Sequence, residues 1–153
     1  MYGVTKITSD QNIMLITFPD AKYTPESLGG HLQIFADLGI VVDMISQSAP
    51  HGTNIDFSFT TDSENLAAVM KALPAAKTDA GTAPLISSGY SKLNLFGEDM
   101  VTSCGVAARA LSALAKEKIE ISLITTSDLD ISLLLRSEDE DTALTVLTAA
   151  FAL

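Results

Sequence analysis

The sequence predicts an α+β fold made of two copies of one small unit. Residues 40–46, IVVDMIS, recur as residues 119–125, IEISLIT, and residues 56–59, DFSF, recur as residues 130–133, DISL. In both halves the alternation typical of strands and the apolar spacing typical of helices follow one another in the same order. A duplicated small α/β unit is more often a binding or regulatory device than a catalyst, so the repeat already restricts the function.

Composition indicates a folded protein of a reducing compartment. The chain has 153 residues, enough for one good core or two small ones, and 47% of them are hydrophobic, which excludes disorder. No apolar run reaches the roughly 18 residues of a membrane span, and the N-terminus lacks the pattern of a signal peptide. The single cysteine, Cys104, has no partner for an internal disulfide. We therefore expect a cytoplasmic protein.

The charge of the chain restricts its partners. The formal net charge is −10, from 19 acidic and 9 basic residues. Phosphate binding needs clustered Lys and Arg, so nucleic acid is a poor partner for such a surface. We expect neither a nucleic-acid partner nor a membrane partner.

The first unit is predicted over residues 1–77. In order, its predicted elements are a strand at 4–8, a turn at 9–12, a strand at 13–18, a helix from Thr24 to Gly39, strands at 40–48 and 55–61, and a helix from Ser63. The first helix has the clearest limits. Thr24 suits the cap, Pro25 the first helical position and Gly39 the stop.

The second unit, residues 92–153, repeats this order after a predicted connector at 78–91 that is rich in Gly, Ser, Thr, Ala and Pro. Its predicted elements are a strand at 93–96, a loop at 97–104, a helix at 105–118, strands at 120–126 and 130–136, and a helix at 139–151. Residues 1–10 are available as a further strand for the sheet of this unit.

Each unit therefore has the element order of a ferredoxin-like sandwich, in which an antiparallel sheet carries its helices on one face. The uncovered sheet face and the strand edges need a covering surface. We expect the two units to pair side by side, within the chain or between two chains.

These residues resemble the regulatory region of aspartokinases, which is a tandem pair of ACT domains. Residues 40–47, IVVDMISQ, are similar to the family pattern Ile-x-Val-Asp-Met-Ile-x-Gln. Residues 97–108, GEDMVTSCGVAA, are similar to Gly-x-x-Met-x-x-x-Pro-Gly-Val-Ala-Ala, and residues 52–60 and 126–132 resemble two further family motifs. The resemblance covers nearly the whole chain. The sequence does not contain the Lys-Phe-Gly-Gly motif with which the kinase domain of the family starts, so we expect neither kinase activity nor a cofactor.

The resemblance implies that a small amino acid, of the lysine or threonine type, binds as an allosteric effector at interfaces between ACT units. Backbone N–H groups at a loop that enters a helix suit the carboxylate of such a ligand, and Gly105 permits its close approach. The implied effector-binding residues are Gln47, Met100, Val101, Thr102, Ser103, Gly105, Val106, Ala107, Ser127 and Asp128.

The corresponding loop of the first unit departs from the family pattern. The family's Asp-x-Pro-Gly is replaced by residues 23–26, YTPE, so a carboxylate stands where the carboxylate of a ligand would dock. We predict that this loop is altered or non-binding; its residues are Tyr23, Thr24, Glu26 and Ser27. The second unit departs less, with Cys104 in place of Pro and Asp128 in place of Glu.

Other chemically interesting residues have simpler interpretations. Neither His31 nor His51 has Cys, Asp or Glu at metal-ligand spacing, so we predict packing or surface roles and no metal site. Cys104 is predicted to pack in its loop. The acidic run at 138–141 is predicted to be the first turn of a helix, which its dipole stabilises.

Several functions stay open at this point. The leading interpretation is a stand-alone regulatory ACT protein that binds an amino acid and forms a homodimer. The alternatives are a regulatory subunit that acts in trans on a separate aspartokinase catalytic chain, and a degenerate module that binds no ligand and serves assembly. A small enzyme is disfavoured, because the sequence contains no recognisable nucleophile–base pair or metal cluster.

Overall fold

The structure, a computed structural model, describes residues 2–74, 81 and 83–153. Its packing divides the chain into two compact units. The N-terminal unit is Asn12–Ser88, and the C-terminal unit combines Met1–Gln11 with Gly89–Leu153. No helix in the described part of the chain is long and apolar enough to cross a membrane.

The elements alternate as the sequence predicts, in an α+β arrangement. In the first half they are β1 (Lys6–Ala21), α1 (Pro25–Asp37), β2 (Ile45–Gln47), β3 (Ile55–Asp62) and, after a 3-10 turn at Ser63–Asn65, α2 (Leu66–Ala72). In the second half they are β4 (Leu85–Phe96), a 3-10 turn at Glu98–Val101, α3 (Val106–Lys116), β5 (Leu123–Thr126), β6 (Asp130–Arg136), a 3-10 turn at Ser137–Asp139 and α4 (Glu140–Phe151).

Strand pairing is antiparallel in both units and repeats the same register. β3 pairs with β1 and β2, and β6 pairs with β4 and β5. Ile45 lies opposite Phe59 as Ile124 lies opposite Leu133. The duplication seen in the sequence therefore extends to the cross-strand partners, and each unit has the ferredoxin-like order.

Each unit packs its helices on one face of its own strands. The core of the N-terminal unit is partly aromatic: the Phe35 and Phe59 rings meet edge to face at 4.9 Å, and Phe18 lies beside both. The core of the C-terminal unit is aliphatic apart from Phe151, and joins β4, β6, α3 and α4 through buried side chains that include Leu95, Leu133, Leu114 and Leu147.

The predicted turn at 9–12 is wrong, because β1 runs through it. Asn12 takes a positive φ of 59°, which Asn tolerates as a single residue, and the strand continues beyond it. The polar side chains of Ser9 and Gln11 donate hydrogen bonds to the carboxylate of Glu140. Residues that are typical of a turn thus lie in a strand here, where Glu140, distant in sequence, accepts the hydrogen bonds of their side chains.

Glu140 is a buried charged residue of the C-terminal unit. Its carboxylate also accepts a hydrogen bond of 2.7 Å from Ser91 Oγ on β4. Burial opposes its ionisation, but the hydrogen bonds from Ser9, Ser91 and Gln11 outweigh burial and hold its pKa below the usual value. The start of α4 is therefore tied to β1 and β4 by an ionised group.

Three predicted elements differ in extent. The strand predicted at 40–48 is reduced to β2. Before β2, the Thr60 side chain accepts from Met44 N and the Thr61 side chain donates to Val41 O, beside backbone bonds of Asp43 and Met44 to Thr60. The strand predicted at 120–126 is likewise reduced to β5. β4 begins at Leu85, inside the predicted connector, so 85–91 is strand; residues 75–80 and 82 of that connector lie outside the described residues.

Candidate functional site

The loop between β4 and α3 begins at a glycine that the fold requires. A Cβ atom on Gly97 would lie 1.7 Å from the carbonyl oxygen of Gly3. Gly97 N also donates to Leu129 O at 2.9 Å, which ties this loop to the turn between β5 and β6. The absence of a side chain at Gly97 therefore allows the N-terminal segment of the chain to pack against the loop.

The rest of the loop is folded by its own backbone. The N–H groups of Thr102 and Ser103 both donate to Asp99 O, at 3.1 and 3.0 Å, and Gly105 has a φ of 79°. This left-handed residue suits glycine, and it turns the chain into α3. The loop thus presents residues 102–105 at the start of the helix.

The start of α3 carries backbone donors that the helix does not use. The first helical hydrogen bond runs from Arg109 N to Gly105 O at 2.9 Å, so the N–H groups of residues 106–108 precede the regular ladder. Among the described residues, no side chain caps α3. Free N–H groups and the positive end of the helix dipole favour an anion here.

Arg109 brings a full positive charge to the same place. Its guanidinium lies 3.8 Å from the centroid of the Tyr2 ring, and Nη1 donates to Ala150 O at 3.3 Å. The stacking and the hydrogen bond fix the direction of a long side chain that would otherwise be mobile. The site therefore has a positioned cation one helical turn after Gly105.

Gly105, Val106 and Arg109 line a cavity of about 290 Å³, which we call the α3 cavity. Its lining residues are Tyr2, Thr102, Ser103, Cys104, Gly105, Val106 and Arg109. The backbone donors and the guanidinium suit a carboxylate, and the hydroxyls of Thr102 and Ser103 add polar groups beside it. The volume suits a small molecule.

The α3 cavity contains four of the ten residues that the resemblance implies: Thr102, Ser103, Gly105 and Val106. Met100 packs against the core, and Val101 and Ala107 are exposed. Gln47 is exposed on β2 in the N-terminal unit.

Ser127 and Asp128 occupy the turn between β5 and β6. The Ser127 hydroxyl accepts from the N–H groups of Leu129 and Asp130 at 3.2 Å and donates to the Asp130 carboxylate at 2.9 Å. The geometry thus gives Ser127 a turn-forming role, while Asp128 is exposed.

Sequence reasoning missed three residues of the cavity: Tyr2, Cys104 and Arg109. For Arg109 the sequence offers one signal, its position one helical turn after Gly105. Tyr2 carried no signal, since it is far from the loop in sequence and the backbone of Gly3 brings it there. Cys104 lines the cavity and is exposed, rather than packed within its loop.

The corresponding place in the N-terminal unit also has a cavity, which we call the α1 cavity, of about 510 Å³. Its lining residues are Lys22, Thr24, Glu26, Ser27, Gly30, His31 and Ile34. Tyr23 lines a neighbouring cavity of about 280 Å³. Here Thr24 Oγ1 accepts from Ser27 N at 3.3 Å, so the helix caps itself, and Glu26 adds a carboxylate to the first turn.

Comparisons with known proteins agree with this architecture. The ACT domain family model matches residues 93–151. Aspartate kinase Ask_LysC of Stutzerimonas stutzeri is 31% identical over 115 residues, which are 74% of this chain and 28% of that protein. The aspartokinase of Geobacillus stearothermophilus is 28% identical over 150 residues, 98% of this chain and 36% of that protein. The chain thus spans roughly a third or less of these relatives' length.

Solved structures match over the whole chain. A chain in the crystal structure of aspartokinase alpha and beta subunits is 32% identical, with a TM-score of 0.85, covering 98% of this chain and 99% of that one. The regulatory subunit of aspartate kinase from Thermus thermophilus is 25% identical, with a TM-score of 0.86, covering 97% of this chain and 99% of that one.

The repeated ferredoxin-like units, each with a loop and cavity at the start of its first helix, define a tandem pair of ACT domains. The chain belongs to the aspartokinase family, and its match is to the regulatory region of that family.

Proposed function

We propose that this chain is a regulatory ACT module that binds one small amino acid, of the lysine or threonine type, in the α3 cavity and acts allosterically. The observation that carries the proposal is that one cavity is lined by the uncapped start of α3, at Gly105 and Val106, and by Arg109. No kinase activity is expected from these residues.

The carboxylate of the ligand would accept hydrogen bonds from the first N–H groups of α3 and from Arg109. The Thr102 and Ser103 hydroxyls lie in the same cavity and offer acceptors to the ammonium group. The Tyr2 ring, on which the Arg109 guanidinium stacks, would keep the guanidinium in place. A free amino acid meets this pattern better than a peptide, because it carries both charges within a small volume.

A ligand in this cavity would regulate by selecting one packing arrangement of the module over another. The size of its effect is limited to the difference between its affinities for the two arrangements. The expected homodimer is part of this proposal, because the ACT units of two paired chains can pack against each other in two arrangements, and the ligand would favour one of them. Light scattering on the purified chain would measure the dimer.

The direct test is thermal unfolding of the purified chain against the twenty amino acids at millimolar concentration. A ligand at about 100 times its Kd stabilises by about 2.7 kcal/mol, which is several degrees for a chain of this size. Selective stabilisation by one or two amino acids is the expected result. A flat panel would instead favour the degenerate assembly module.

Arg109→Gln is expected to weaken binding of the identified amino acid about tenfold to hundredfold, because a charge-assisted hydrogen bond is lost. Arg136→Gln is the matched control. Arg136 also stacks on a tyrosine, with its guanidinium 4.9 Å from the Tyr90 ring centroid, but it is not among the lining residues of the α3 cavity. Equal affinity of both variants in calorimetry would remove Arg109 from the site.

A second proposal concerns how the output is delivered. One solved chain described above is named a regulatory subunit of aspartate kinase, and the other belongs to a structure of aspartokinase alpha and beta subunits. This likeness favours action in trans on a separate catalytic chain. Co-purification of the tagged chain with an aspartokinase catalytic subunit from its own source would support it, and recovery of the chain alone would favour the stand-alone form.

A further inference from the structure

We propose that Asp20, His51 and Asp56 form a binding site for a divalent transition-metal ion of the Zn²⁺ class on the N-terminal unit. One ligand atom from each residue can be chosen so that all three lie within 4.8 Å of one another. The three residues lie near the end of β1, in the turn before β3 and at the start of β3. None of them takes part in the proposed amino-acid site.

The backbone holds these three positions together. The pairing of β1 with β3 is irregular between Phe18 and Ala21, and Asp20 within this bulge has a φ of 54°. Asp20 N donates to Asp56 Oδ1 at 3.3 Å. His51 is fixed by its own bridge, in which His51 N donates to Asn54 O at 2.9 Å.

The donor set suits a transition ion. Zn²⁺ binds imidazole nitrogen and carboxylate oxygen at about 2.0–2.2 Å, so two ligands of one ion lie about 3–4 Å apart. His51 Nε2 and Asp56 Oδ1 already lie 3.9 Å apart. A ligand atom of Asp20 lies within 4.8 Å of both, on an exposed side chain.

The composition of the cluster favours a cation over a simple ion pair. An exposed pair of His51 and Asp56 alone would contribute little to stability. The cluster places two carboxylates beside one imidazole, so a divalent cation would balance the two negative charges. The imidazole disfavours Mg²⁺ and Ca²⁺, which prefer oxygen ligands, and water would complete the coordination sphere.

The test is a titration of Zn²⁺ into the chelator-treated full chain, followed by calorimetry and by NMR of the histidine ring protons. The chain has two histidines, and His31 is buried in the core, so the two signals are easily distinguished. We expect one ion per chain and a saturable shift of the His51 signals. Binding should weaken as the pH falls, because the metal takes the neutral imidazole.

Variants separate the three ligands. His51→Gln should abolish the saturable binding, and Asp20→Asn and Asp56→Asn should each weaken it about tenfold or more. Asn tolerates the positive φ at Asp20 and keeps an acceptor at Asp56, so the fold is retained. Glu64→Gln, which removes an exposed carboxylate beyond the opposite end of β3, is the matched control and should leave binding unchanged.

Three results would overturn the proposal: no saturable binding in the parent chain, unchanged affinity in His51→Gln, or saturation without a shift of the His51 signals. The amino-acid panel is run without metal, so the outcome for one site leaves the other unaffected.

Discussion

The starts of α1 and α3 occupy equivalent places in the two units, yet they differ in whether a side chain accepts hydrogen bonds from the first backbone N–H groups of the helix. At α1, the Thr24 hydroxyl accepts from Ser27 N and Glu26 adds a negative charge to the first turn. At α3, a left-handed Gly105 precedes the helix, with no side-chain cap among the described residues. The side chain of its own N-cap residue caps the first helix, whereas no described side chain caps the second, whose first N–H groups we propose bind a ligand.

The charges at the two helix starts reinforce this difference. Counted from the repeat, Glu26 corresponds to Gly105 and Gly30 corresponds to Arg109. One unit therefore has an acid where the other has an open backbone, and no side chain where the other has a guanidinium. These two differences favour a carboxylate ligand at the start of α3 over the start of α1, where Lys22 is the cation that lines the cavity.

Cavity volume alone would favour the α1 cavity over the α3 cavity as the binding site. The α1 cavity has about 510 Å³ and the α3 cavity about 290 Å³. Space is necessary for a ligand, but the donors that remain available decide what binds there. The prediction that the loop with Tyr23, Thr24, Glu26 and Ser27 is non-binding stays a prediction, and the amino-acid stoichiometry in calorimetry tests it.

Gly97→Ala should have the largest effect on this comparison. The added Cβ would meet the Gly3 carbonyl oxygen at 1.7 Å, so the backbone at Gly3 or at Gly97 must shift, and we expect Tyr2 to be displaced in the α3 cavity. We expect a loss of more than about 3 kcal/mol in the free energy of unfolding, measured in urea.

Gly29→Ala on α1 is the control for this change. Its Cβ would meet nothing within 4 Å, and alanine favours a helix, so the N-terminal unit should gain about 0.5–1 kcal/mol. A Gly97→Ala variant as stable as the parent would show that the N-terminal segment does not need its place against the loop.

Glu140→Gln should have the next largest effect, again on the C-terminal unit. The corresponding position in the N-terminal unit is the exposed Leu66, so only the second unit contains this buried carboxylate within the described residues. Loss of the charge from a network of three donors should cost about 1–3 kcal/mol.

The pH dependence identifies the cause of this loss. Although burial raises the pKa of Glu140, its hydrogen bonds from Ser9, Ser91 and Gln11 lower it by more, so the folded value lies below the unfolded one. Its stabilisation is therefore complete above the unfolded pKa and disappears as the pH falls through the folded pKa. Glu140→Gln should flatten this acidic slope, and Glu138→Gln, at an exposed position, should keep it.

The features that sequence reasoning recovered depend on neighbours along the chain. Thr24, Pro25 and Gly39 set the limits of α1 by local chemistry, and Gly39 indeed has a φ of 72°. The duplicated strands were visible because cross-strand register follows the repeat. The expected function class, an aspartokinase-type regulatory ACT pair, followed from the same motifs.

The features that it missed depend on residues that are distant in sequence. The polar residues at 9–12 continue a strand because Glu140 accepts their hydrogen bonds. Tyr2 and Arg109 meet only after Gly97 admits the N-terminal segment. The cluster of Asp20, His51 and Asp56 joins three segments, so no ligand spacing along the sequence could reveal it.

Thr24→Ala and Ser103→Ala give the smallest effect and the most direct test of the comparison, since Ser103 corresponds to Thr24 in the repeat. Thr24→Ala removes a cap and should cost about 1 kcal/mol, whereas Ser103→Ala should cost less than about 0.5 kcal/mol because its hydroxyl does not cap α3. The order should reverse for ligand affinity, which only Ser103→Ala should weaken. Equal losses of stability in urea would mean that both helices are capped alike, and the distinction between a self-completed and a ligand-completed helix would fail.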